Sequence, residues 1–146
     1  MRFEDLLKET GFAISFEQIS ELRRDGSNLR IIVNKSNDST NLLIYPHPDS
    51  NVLTYQIDFR YYVTYSVAVD DYTMWNEAER FRGDAFRIYE ESTFLDYVKK
   101  EYKLQLDLHS NLIENKQVTH YALACHEHLV NIISFDEPTI TEVTSS

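Results

Sequence analysis

The residues best equipped for chemistry lie in one string, HYALACHEHLVNIIS, at residues 120–134. It holds the only cysteine, Cys125, and three of the five histidines, His120, His126 and His128. Read as one extended strand, it puts the three imidazoles on one face and Cys125 on the other, with Tyr121 and Leu123. Two histidines spaced His-x-His on a strand can reach one metal ion. Zinc, however, takes three or four N, S or O ligands, each with its own supporting partner. The missing ligands would have to come from His47, His109 or distant carboxylates, and neither Cys-x-x-Cys nor His-Glu-x-x-His is present. The string is therefore expected to be a late strand or its turn, with the histidines at wet positions and no metal or other cofactor.

Cys125 would need a histidine to activate it as a nucleophile. Its neighbour His126 leaves a strand on the opposite face, so a small buried thiol is expected instead. No Gly-x-Ser-x-Gly elbow occurs, and three glycines (Gly11, Gly26, Gly83) make neither a P-loop nor a dinucleotide fingerprint. Asp70-Asp71 and Glu90-Glu91 read as solvated turns, and Arg82-Gly83-Asp84 as a turn into AFRIY. These absences favour a protein that is not an enzyme. What stands out in their place is a set of aromatic and acidic residues, Tyr62, Asp70, Asp71, Tyr72 and Trp75, of the kinds that anchor protein interfaces.

The elements that must carry these residues can be read from periodicity. From Leu53 to Val69 every odd position is apolar and the even ones are mostly polar, as an antiparallel sheet with one covered face requires. Seventeen residues at about 3.3 Å each would span about 56 Å. A domain of this length is only about 40 Å across. The segment must therefore be one strongly bent strand, or two strands meeting in an unbroken corner near Arg60 to Tyr62. The same parity makes Tyr55, Tyr61 and Tyr65 core residues and leaves Tyr62 on the polar face.

LRIIVNK, NLLIYPH and AFRIYEE also read as strands, DDYTMWNEAERFRG as a loop with a helical turn, and the stretch from Val118 to Asp136 as one or two more strands. MRFEDLLKETG reads as a helix ending at Gly11. ISFEQISELRRDG carries helix end signals throughout: Ser15 with Gln18 as a capping box, Ile14 with Ile19 as a staple, then Arg23, Arg24 and Gly26 at the C-terminal end. A strand through Phe12, Ile14 and Phe16 is its alternative. STFLDYVKKEY reads as a late helix capped by Thr93. The fold class is thus α+β: an N-terminal helix pair, an antiparallel sheet with one long bent strand, and a helix late in the chain. It forms a single globular domain over 1–146, with 139–146 frayed.

Fourteen Lys and Arg against twenty-four Asp and Glu give a formal charge of −10. Nucleic acids and anionic membranes are disfavoured as partners, because both are bound through cations. No apolar run approaches the ~20 residues that cross a membrane. MRFEDLLKET has no leader-like apolar core, so a soluble, cytoplasmic protein is expected. The leading functional expectation is a protein-binding module with an acidic surface, neutralising a basic partner such as a toxin or nuclease. A small-molecule-binding protein or enzyme with a pocket between sheet and helices is the alternative, and a structural or assembly subunit the third.

Overall fold

Alternation organises the middle of the chain in the computed structural model, which describes residues 1–22, 28–43, 52–74, 76–102 and 117–143. Strand β2 (Asn28–Ser36) buries Leu29, Ile31 and Val33, and β3 (Leu53–Phe59) buries Tyr55, Ile57 and Phe59. The two pair antiparallel with Ile31 opposite Ile57. β1 (Ala13–Leu22) joins the far side of β2, and β9 (Thr139–Val143) the far side of β3. A second antiparallel sheet contains β4 (Tyr62–Val69), β5 (Arg80–Gly83), β6 (Phe86–Glu91), β7 (Thr119–Ala124) and β8 (His128–Ser134), in the order β4-β8-β7-β6-β5.

The main core lies between the sheets, where Ile14, Ile31, Ile57 and Phe59 of the first pack with Phe86, Tyr121, Leu123, Val130 and Ile132 of the second. Helix α1 (Phe3–Leu7) adds Phe3, Leu6 and Leu7 to it, and Phe3 stands edge-on to Phe86 and Tyr121 at 5.7 and 5.1 Å. Helix α3 (Thr93–Glu101) covers the other face of the five-stranded sheet with Val98. Antiparallel sheets with one helix at the N-terminal end and another late in the chain, ahead of the last three strands, make this an α+β fold.

The alternating run from Leu53 to Val69 does divide at a corner, at Arg60 and Tyr61, and its halves belong to different sheets. Asp136 holds the corner without glycine or proline. Its carboxylate accepts the Arg60 and Tyr61 backbone N–H groups, both at 3.1 Å, and the Ser134 hydroxyl at 2.6 Å. The Phe135 N–H donates to Tyr61 O. Thus the two chain crossings between the sheets, β3 to β4 and β8 to β9, clasp each other.

Several expectations are overturned. Residues 13–22 form β1 rather than the second helix of a pair. Phe16 pairs with Val33 and Gln18 with Ile32, so Glu17 is an extra, bulged residue. The bulge returns Ile19 to the core side opposite Ile31, and turns an Ile14–Phe16 alternation into a spacing that imitates a helix. Residues 40–43 form a short helix, α2 (Thr40–Leu43), instead of the start of a strand. The tail over 139–143 is not frayed, because Ile140 is buried and pairs with Ile57. Tyr61 is exposed and Tyr62 packs against the core, the reverse of the parity expectation. The corner resets the alternation, and a second irregularity between Tyr62 and Thr64 shifts it again. The Arg23–Gly26 end signals, Trp75, His47 and His109 lie outside the described residues.

Candidate functional site

The histidine-rich string folds as a hairpin, β7 and β8 joined through 125–127, which separates the histidines it was expected to align. His120 is 1% exposed, the opposite of a wet position. It lies on the α3 side of the sheet, stacked 4.1 Å from Tyr89 and edge-on to Phe94. Asn131 Oδ1 accepts the Nε2–H at 2.7 Å, which leaves Nδ1 to accept the Ser92 hydroxyl at 2.6 Å. Ser92 is also the N-cap of α3, accepting the Leu95 N–H at 2.9 Å. The cap is one residue earlier than expected, because Thr93 is turned to Glu79, whose carboxylate accepts both its N–H and its hydroxyl. Burial in this apolar setting is the main cause that lowers the His120 pKa to about 4, so the ring is neutral.

A serine hydroxyl on an imidazole, whose other nitrogen is held by an asparagine, is the order of groups in a nucleophile relay. Chemistry would require the serine oxygen to face a substrate. Ser92 is 8% exposed, its oxygen is committed to the helix cap, and neither cleft described below is lined by Ser92, His120 or Asn131. The network therefore ties the N-terminus of α3 to the sheet. Sequence reading missed it, although Ser92 ahead of the TFLDYV pattern is a cap signal. The pairing of His120 with Asn131 depends on hairpin geometry.

Cys125 is buried as expected, and burial pushes its thiol up to about 12. His126 and His128 line a groove of about 380 Å³ with Phe16, Glu17, Leu42 and Glu127. Among the described residues, no group of three His, Cys, Asp or Glu is placed to hold a metal ion.

The five candidate binding residues are divided. Asp70, Asp71 and Tyr72 form one 3-10 turn directly after β4. Tyr62 begins β4, about 23 Å away at strand spacing, and its hydroxyl donates to Glu21 at 2.6 Å. Trp75 lies outside the described residues. The turn continues into Met74, which sequence reading did not single out. Tyr72 is 84% exposed and Met74 90%, extreme values for large apolar side chains. Beside them a cleft of about 230 Å³ is lined by Asp70, Met74, Glu79, Phe81, Arg87 and Tyr89. Arg87 stacks 4.1 Å over Phe81 and donates its Nε–H to Asp84 O.

No family model, curated protein or solved structure matches the chain. Among the described residues, no helix is long and apolar enough to cross a membrane.

Proposed function

We propose that this domain binds another protein through the loop that follows β4. The observation that carries this reading is the pair Tyr72 and Met74, almost wholly exposed on a segment whose charged residues from 70 to 79 are all acidic: Asp70, Asp71, Glu77 and Glu79. Aromatic and Met side chains are favoured interface anchors, and an acidic rim steers a basic partner while repelling acidic ones. A basic toxin or nuclease is the specific partner class this chemistry fits. Capture of a stoichiometric partner from the native cell at low salt tests it. Binding should weaken with salt, and Tyr72→Ala with Met74→Ala should abolish it. A partner retained by the double variant, or no partner at low salt, would overturn the reading.

One observation favours a second reading, a small anionic ligand in the adjoining cleft. Arg87 faces that cleft, and among the described residues it and Arg60 form no ion pair with a carboxylate, whereas Arg2, Arg30, Arg80 and Arg82 each pair with one. A thermal-shift screen of carboxylate and phosphate metabolites checks it. A rise in midpoint that Arg87→Met removes would support this reading against the first.

A further inference from the structure

Among the described residues the two sheets leave four edge strands, β1, β9, β5 and β4, and three of them are blunted against pairing. β1 is bulged and carries Glu17 and Glu21, β9 is five residues with Glu142, and β5 is four residues with Arg80 and Arg82. Charges, bulges and shortness are the devices that keep edges from adding strands. β4 is different. Its eight residues, YVTYSVAV, contain no charge and no proline, and they are rich in the β-branched and aromatic residues that pair well. Val67 and Val69 are 38% and 46% exposed. Its one neighbour in the sheet, among the described residues, is β8. β1 touches the region through side chains, Glu21 at Tyr62 and Phe16 beside His128, and through one backbone bond at the β7–β8 turn, from the His126 N–H to Ile14 O at 2.8 Å, but no backbone bond links it to β4 itself among the described residues.

We propose that β4 pairs antiparallel with β4 of a second copy of this chain, across a two-fold axis perpendicular to the sheet. The residues that flank the strand select that occupant. Arg60 precedes it and Asp70 follows it, so antiparallel self-pairing centred on Tyr65 brings Arg60 of each copy to Asp70 of the other. The same register sets Val63 against Val67 and Thr64 against Ser66, like with like on each face. Every strand residue is neutral, so the pairing sets no like charges opposite one another, although each chain carries −10 overall. The dimer extends five strands to a continuous ten and leaves Tyr72 and Met74 beyond its ends. It does not depend on the protein-binding role proposed above.

Sedimentation equilibrium over a concentration series tests the proposal, with circular dichroism confirming that each variant is folded. The wild type should show a monomer–dimer equilibrium. Val67→Lys sets a charge beside the seam and should weaken association roughly tenfold or more. Arg60→Asp or Asp70→Arg alone should also weaken it, and the two together should restore it. Both are surface side chains, so this exchange remains decisive even where Val67→Lys fails to fold. A wild type that stays monomeric, a dimer untouched by Val67→Lys, or a charge exchange without rescue would overturn the proposal.

Discussion

Tyr121, Leu123, Val130 and Ile132 point from β7 and β8 into the space between the sheets, while His120, Ala122, Asn131 and Ile133 on the same two strands are turned toward α3. The first face is wholly apolar at its centre and is completed by a second sheet. The second face carries a buried imidazole, which meets the buried Ser92 hydroxyl of the helix cap, and is completed by one nine-residue helix. Apolar area serves where a broad surface is available to cover it. A short helix offers little area, and its exposed N-terminal N–H groups need partners, so on that side directional bonds fix its position. The sandwich face should therefore set how stable the domain is, and the helix face should set where α3 sits and how stability responds to pH.

The strongest test of that division is a cavity on the sandwich side. Phe59→Ala should cost about 3–5 kcal/mol in urea denaturation, since the ring is fully buried between the sheets and meets Tyr121 at 5.3 Å. A cost below about 1 kcal/mol would remove the distinction between the faces.

Next comes the pH response. Folding lowers the His120 pKa from 6.5 to about 4, so between those values the unfolded chain takes up a proton that the folded one refuses. Its contribution is complete above pH 6.5 and is lost as pH falls toward 4, by roughly 3 kcal/mol in all. His120→Phe keeps an aromatic ring against Tyr89 and cannot titrate. The slope of stability against pH in this window should therefore be shallower in the variant than in the wild type, and identical slopes would show that His120 does not carry it. The smallest effect is expected at the helix cap. Ser92→Ala should cost about 1–2 kcal/mol by losing both the Leu95 N–H acceptor and the His120 donor. Ser92→Thr should recover most of that, and the His120 ring resonances in an NMR spectrum should shift in the alanine variant alone.

The contrast also marks what a reader of the sequence can reach. LRIIVNK, the Leu53–Val69 alternation with its corner, AFRIYEE and the late helix are all legible, because local periodicity and a length limit determine them. The sandwich face follows from that periodicity. β1 misleads because bulged Glu17 breaks the alternation while Ser15, Gln18 and Ile19 imitate helix end signals. β9 was invisible because a five-residue TITEV gains its order from pairing with β3. The candidate site was legible in part: Asp70, Asp71 and Tyr72 do form one exposed turn. Parity groups Tyr62 with them as a polar-face aromatic, whereas the corner turns it against the core and the length of β4 separates it from the turn. The His120 network needed the hairpin, and a run of histidines suggested metal chemistry where the fold uses one of them as a rivet.

The pairing of β9 with β3 has a kinetic consequence. Ile140 meets Ile57 more than eighty residues away along the chain, whereas β1 and β2 are near neighbours in sequence. Completing the four-stranded sheet thus requires closing a loop of more than eighty residues. Closing so long a loop has an entropic cost that must be met before its contacts reward it, which places the domain among the slower, millisecond-to-second folders. Until Thr139–Val143 docks, the outer edge of β3 is bare, and during that interval the chain is most exposed to mispairing with its own copies.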